Sequence, residues 1–174
     1  MLRIATLDDV PGIARVHVDS WRTTYAGLMP DSILANISLE RRTQNMENFI
    51  RSQPENAITY VVEEGDVIVG FAQCGPNRDL EVDSAFNGEL YGIYLLVDWQ
   101  GKGLGKQLIQ AVTRFLLSHR VESMIVWALA SNLPACNFYQ ALGGVFVRER
   151  EIGIQGHAMV EASYGWKDLR RLAV

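Results

Sequence analysis

The chain lacks most of the patterns that announce a specialised architecture. Among its 174 residues are two cysteines, Cys74 and Cys136, too few for a disulfide scaffold or a four-cysteine zinc site. The three histidines, His17, His119 and His157, fall at no metal-ligand spacing, so no metal is expected. Basic charge is not in excess. Sixteen Lys and Arg against 20 Asp and Glu leave a net charge of −4, which argues against a nucleic-acid-binding face. No apolar run approaches the ~20 residues of a membrane helix. Asp8 and Asp9 stand where the apolar stretch of a signal peptide would lie, so a cytoplasmic protein is expected. No repeat, low-complexity tract or Pro/Gly/Ser-rich linker divides the sequence. A single domain over residues 1–174 is therefore expected. What is present suits a packed core: 48% hydrophobic and 21% charged residues.

Along the chain, residues 1–5 read as a strand. Thr6 or Asp8 can cap the helix that follows, with Pro11 in its first turn. Further helical stretches start near Pro30-Asp31 and span 39–52. Runs 59–63 and 67–74 flank Gly65-Asp66, a hairpin signal. The polar, turn-rich stretch 75–88 reads as an exposed loop. Residues 90–97 form another apolar strand. From Gly103 the period changes, and Leu104, Leu108, Val112, Phe115 and Leu116 fall on one helical face. A strand over 123–129 and a helix over 133–142, closed by Gly143-Gly144, come next. Two strands, 145–151 and 158–166, complete the chain. This order predicts a mixed α/β fold around one central sheet.

The most informative segment runs from Glu89 to Ile109, as strand, glycine loop and helix. Gly101, Gly103 and Gly105 alternate. Glycines let backbone N–H groups approach a ligand, and a helix N-terminus adds unpaired donors and a positive dipole end. Together they suit phosphate oxygens, and Lys102 and Lys106 add charge. A P-loop is excluded, because Gln107 replaces its Ser/Thr and the first glycine is misplaced. A dinucleotide fingerprint is excluded, because its third glycine position holds Lys106 and the loop comes late in the chain.

What remains is Gln100-Gly101-Lys102-Gly103-Leu104-Gly105. With Glu89-Leu90-Tyr91-Gly92-Ile93-Tyr94-Leu95 upstream, and Asn132-Leu133-Pro134-Ala135-Cys136-Asn137-Phe138-Tyr139 downstream, it resembles the GNAT superfamily of N-acetyltransferases. The segment from Trp21 to Pro30 also resembles the amino-terminal part of many bacterial members. The resemblance implies a central, mostly antiparallel mixed sheet of about seven strands, splayed between the fourth and fifth and flanked by helices. It implies acetyl-CoA as acyl donor. Ile93, Tyr94 and Leu95 would line the pantetheine arm, and Gln100, Gly101, Lys102, Gly103, Leu104, Gly105 and Lys106 would hold the pyrophosphate. Asn132 and Phe138 would lie beside the arm, and Tyr139 near the thioester sulfur. Trp21 and Tyr25 would line the acceptor pocket. A homodimer is allowed, as is a monomer.

The implied chemistry is transfer of an acetyl group to a primary amine by direct attack in a ternary complex. The amine must first lose a proton; at pKa ~10.4 it is neutral to about one part in a thousand near pH 7. Glu89 is the leading base. Strict alternation would put it on one strand face with Tyr91, Ile93 and Leu95. The developing oxyanion needs donors, which strand amides near Leu95 can supply, and Tyr139 can assist the leaving thiolate. Each residue has a plain structural reading beside the functional one. Glu89 can be a solvated strand end, Tyr139 and Trp21 packed aromatics, and His157 a strand histidine rather than a second base. Glu161 is explained by alternation alone. The acidic chain favours cationic acceptors. The alternative to an enzyme is a catalytically silent acyl-CoA sensor.

Overall fold

A computed structural model describes residues 1–79 and 84–173. Its strands are β1 (Leu2–Ile4), β2 (Ile58–Glu64), β3 (Val67–Pro76), β4 (Gly88–Leu95), β5 (Met124–Leu129), β6 (Val145–Ile154) and β7 (His157–Trp166). Its helices are α1 (Val10–Thr24), α2 (Asp31–Ala35), α3 (Leu39–Ser52), α4 (Leu104–Ser118) and α5 (Leu133–Ala141). The strands form one sheet in the order β1-β2-β3-β4-β5-β7-β6. The β4–β5 pair is parallel, and every other neighbouring pair is antiparallel. The mixed, seven-stranded sheet is thus as the sequence led one to expect.

Two apolar layers cover the sheet. Ile13 and Val16 of α1 and Met46 of α3 pack on Val61 and Phe71. On the other face, Leu108, Ile109, Val112 and Leu116 of α4 pack on Val69, Leu90 and Val126. The helical period read from the sequence at Leu108, Val112 and Leu116 is therefore the buried stripe of α4. The Gly65-Asp66 hairpin is present, with Gly65 at φ +58°. At the amino terminus, Thr6 caps a short 3-10 turn over Leu7–Asp9, and α1 begins only at Val10, later than the capping signal suggested.

The stretch read as an exposed loop, 75–88, is shorter and less exposed than expected. β3 continues to Pro76, β4 begins at Gly88, and Asn77 N donates to Asn87 O at 2.9 Å. Asn77 and Phe86 are buried. Residues 80–83 of that stretch lie outside the described residues.

His17 sits inside the α1 layer, with its ring 5.4 Å from Trp21 and 4.7 Å from Tyr94. Burial, reinforced by Arg42, pushes its pKa down to about 3. A His lowered in the fold stabilises above its unfolded pKa of ~6.5 and loses that stability as pH falls toward 3. Within that window one extra proton on the unfolded chain costs about 1.4 kcal/mol per pH unit. Chemical denaturation of His17→Phe between pH 7 and 4 is expected to show a flatter loss of stability than wild type.

Candidate functional site

The site begins where the sheet forks. β4 pairs with β5 only at Gly88, Glu89 and Leu90. At the next residue the β3–β4 register skips: Gln73 faces Gly92 and Cys74 faces Leu90, so Tyr91 is bulged. A bulge bends and twists its strand, and here it coincides with the parting of β4 from β5. It also re-phases the side chains. Leu90 now shares the α4-side layer with Ile93 and Leu95, while Tyr94 packs on the α1 side. Glu89 lines a cavity with Tyr94 and with Trp21 and Tyr25 from the α1 end of the fold. Strict alternation, which put Glu89 on one face with Ile93 and Leu95, is corrected by this one extra residue.

The open edge of β4 carries backbone groups. Leu96 N donates to Val69 O at 3.0 Å. Alternation along the antiparallel ladder then turns the N–H and C=O of Leu95 and Ile93 away from β3, toward the fork. The Leu95 carbonyl accepts from Gln100 Nε2 at 3.1 Å and from Ser20 Oγ at 3.3 Å. Gln100 thereby ties the glycine loop to the strand end.

At the loop itself, Gly103 is the residue before α4 and sits at φ +80°. An L side chain there costs roughly 1–2 kcal/mol. No side chain caps α4 and no acidic residue occupies its first turn, so its first N–H groups are left for a ligand. Gly105 is needed for a different reason: a Cβ would stand 3.1 Å from the Phe138 ring. Its absence lets α4 and α5 close around the cleft. α5 is capped by Asn132, whose Oδ1 accepts from Ala135 N at 3.3 Å.

These pieces enclose a cavity of about 420 Å³. Of the residues predicted for the donor, it is lined by Ile93, Tyr94, Leu95, Gln100, Gly101, Gly103, Gly105, Lys106, Asn132 and Phe138. Lys102 and Leu104 are not on its wall. Lys102 lies over the Trp99 ring at 4.3 Å, and Leu104 packs toward the core. Tyr139 is on the wall and 5% exposed. Burial raises its pKa well above the ordinary phenol value, as do Tyr94, Tyr25 and Cys136 nearby. It therefore stays protonated across the neutral range.

A second cavity, about 130 Å³, adjoins the first and shares Tyr25, Tyr91, Tyr94, Trp127 and Ala128 with it. Trp21 and Glu89 line it. Glu89 is 4% exposed and held by Arg78: Nη2 to Oε1 at 2.5 Å, Nε to Oε2 at 3.0 Å, and the backbone N to Oε2 at 3.0 Å. A carboxylate offers about four acceptor positions, two per oxygen. Among the described residues Oε2 is filled, and Oε1 keeps one position free. His157 is elsewhere: it is exposed, opens β7 opposite Ile154, and lines neither cavity.

Sequence reasoning missed part of this wall. Arg78, Trp127, Arg150 and Glu161 all face the smaller cavity. Arg150 donates to Glu161 at 3.0 Å and lies 3.8 Å over the Trp127 ring. Strand alternation alone does not reveal that Glu161 faces this cavity. The β6–β7 register, which brings Arg150 opposite Glu161, was the missing information.

The comparisons with known proteins agree with this architecture. The model of the acetyltransferase (GNAT) family matches residues 18–144. The uncharacterized N-acetyltransferase YuaI of Bacillus subtilis is 37% identical over 171 residues, covering 98% of this chain and 95% of its own. Among solved structures, an N-acetyltransferase from Staphylococcus aureus superposes with a TM-score of 0.74 at 21% identity, covering 97% of this chain and 98% of its own. The PaiA N-acetyltransferase of Thermoplasma acidophilum, solved in complex with coenzyme A, gives 0.73 at 18% identity, covering 93% and 96%. The forked sheet, the glycine loop and the matched family together place the chain in the GNAT acetyltransferase family.

Proposed function

We propose that the chain transfers an acetyl group from acetyl-CoA to a primary amine by direct attack in a ternary complex. The carrying observation is the pair of cavities that meet where β4 leaves β5. The larger suits the donor and the smaller the amine. The uncapped α4 N-terminus, positive-φ glycines and Lys106 fit a pyrophosphate, and the wall from Ile93 to Phe138 fits a pantetheine arm. The coenzyme A complex of the Thermoplasma relative supports the same donor.

Bound acetyl-CoA supplies an activated acyl carbon and a thiol leaving group. This chain's residues do the rest. Glu89 Oε1 receives the ammonium proton directly or through a water. The freed nitrogen lone pair forms the new C–N bond as the C–S bond breaks, and the second proton of the nitrogen passes to the departing thiolate, which leaves as the thiol. The Leu95 N–H faces the oxygen that gains charge. Tyr139 holds a hydrogen bond toward the departing sulfur. An ordinary thiol has pKa ~8.5, well below the raised phenol, so the proton stays mainly on the tyrosine oxygen.

The test is free-thiol release from acetyl-CoA against a panel of amines, with mass detection of the acetylated product. Amine-dependent release supports the transfer. Donor binding without release across the panel would favour the silent sensor instead.

The glycines supply a further prediction. Gly103→Ala strains the loop backbone, and Gly105→Leu pushes a side chain against Phe138. Both are expected to weaken acetyl-CoA binding by calorimetry. Gly105→Leu should cost at least tenfold, because its side chain also enters the donor cavity.

A further inference from the structure

The smaller cavity does not share the negative balance of the chain. Among the described residues, Glu89 and Glu161 line it, but so do Arg78 and Arg150, and these four charges cancel. A purely cationic acceptor gains no net attraction there. An acceptor carrying both charges finds a partner for each.

The two arginines are not equivalent. Arg150 has all three nitrogens engaged: Nε and Nη2 donate to Glu161 Oε2, Nη1 reaches Asp79 at 3.4 Å, and its guanidinium carbon lies 3.8 Å from the Trp127 ring centroid. Arg78 is different. Nε and Nη2 hold Glu89, and Nη1 has no hydrogen-bond partner among the described residues. Its side chain is 63% exposed, and its guanidinium carbon lies 4.3 Å from the Tyr91 ring centroid. The ring contact and the pair with Glu89 hold the guanidinium in place and leave Nη1 for an incoming acid. A guanidinium edge matches a carboxylate or another oxyacid better than it matches any neutral group.

Arg78 Nη2 already touches Glu89 Oε1. An amine on Oε1 and an acid on the neighbouring guanidinium edge must therefore sit close together in the acceptor, as when one or two carbons separate them.

Resting on the transferase reading above, we infer that the acceptor is a small zwitterion of the α-amino-acid type. Arg78 binds its acidic group, and its amine faces Glu89. Docking of the acid on Arg78 also competes with Glu89 for the guanidinium, loosening the carboxylate at the moment it must accept a proton. A polyamine, an aminoglycoside or a peptide amino terminus lacks the adjacent acid.

The test uses matched triplets at saturating acetyl-CoA. Each common L-amino acid is compared with its carboxamide and with the amine left after removal of the carboxylate. The expected result is that, in the best triplet, kcat/KM for the acid exceeds both analogues by at least tenfold. Arg78→Gln should bring that ratio close to one, mainly through KM, and Arg78→Lys should restore part of it. A merely structural loss would lower all three members alike and keep the ratio. Equal or better turnover of amide or amine would overturn the inference. So would a ratio that survives Arg78→Gln, or no accepted amino acid by a protein that binds acetyl-CoA in calorimetry. Failure to bind acetyl-CoA would instead remove the transferase reading itself.

Discussion

Tyr139→Phe is expected to lower the rate of amine-dependent thiol release by about 100-fold while leaving acetyl-CoA affinity within a few-fold of wild type. A positioned hydrogen-bond donor to developing negative charge contributes about 10²–10³-fold. The lower end applies because a thiolate of pKa ~8.5 is a fair leaving group without help. The structure supports the split between rate and binding. Tyr139 lines the donor cavity, but its ring is fixed by neighbours that Phe would keep: Trp166 lies edge-on at 6.2 Å, and Tyr164 and Phe138 lie at 6.1 and 5.6 Å. Since burial raises its pKa, the wild-type rate should show no loss from phenol ionisation up to pH ~10. Single-turnover kinetics of the two proteins, with calorimetry on the same samples, checks both halves.

Glu89→Gln is the second large effect. The substitution keeps the size of the side chain but removes its capacity to take a proton. A loss of about 10²–10³-fold in kcat near pH 7 is expected, within the usual range for a general base. The pH profile distinguishes this from a folding defect. An amine of pKa ~10.4 supplies its own neutral form as pH rises. The deficit of Glu89→Gln should therefore shrink toward alkaline pH. A defect in structure would not recover. Arg78, already exposed at its outer edge, remains solvated when its partner is neutral.

The parts of this site that were legible in the sequence are those where backbone chemistry dictates residue type. A loop with positive φ at Gly101 and Gly103, and close contact at Gly105, is spelled at least cost in glycine. A helix capped by Asn132 places Phe138 and Tyr139 on one short element, so their spacing carries the geometry. The acceptor side is different. Its position depends on a bulge at Tyr91, and a single extra residue leaves no mark on the pattern of apolar residues. Arg78 comes from the connection after β3, Arg150 from β6 and Glu161 from β7. Only the assembled sheet shows that they share a cavity with Glu89. His157 illustrates the converse: the hairpin register carries it to the exposed end of β7, away from the fork.

The central claim is that the fork between β4 and β5 is the donor site. Titration of acetyl-CoA into wild type, Tyr139→Phe and Gly105→Leu tests it most directly. The expected result is one binding site per chain in wild type, retained in Tyr139→Phe and weakened at least tenfold in Gly105→Leu. Absence of binding to wild type, or unchanged binding to Gly105→Leu, would contradict the account.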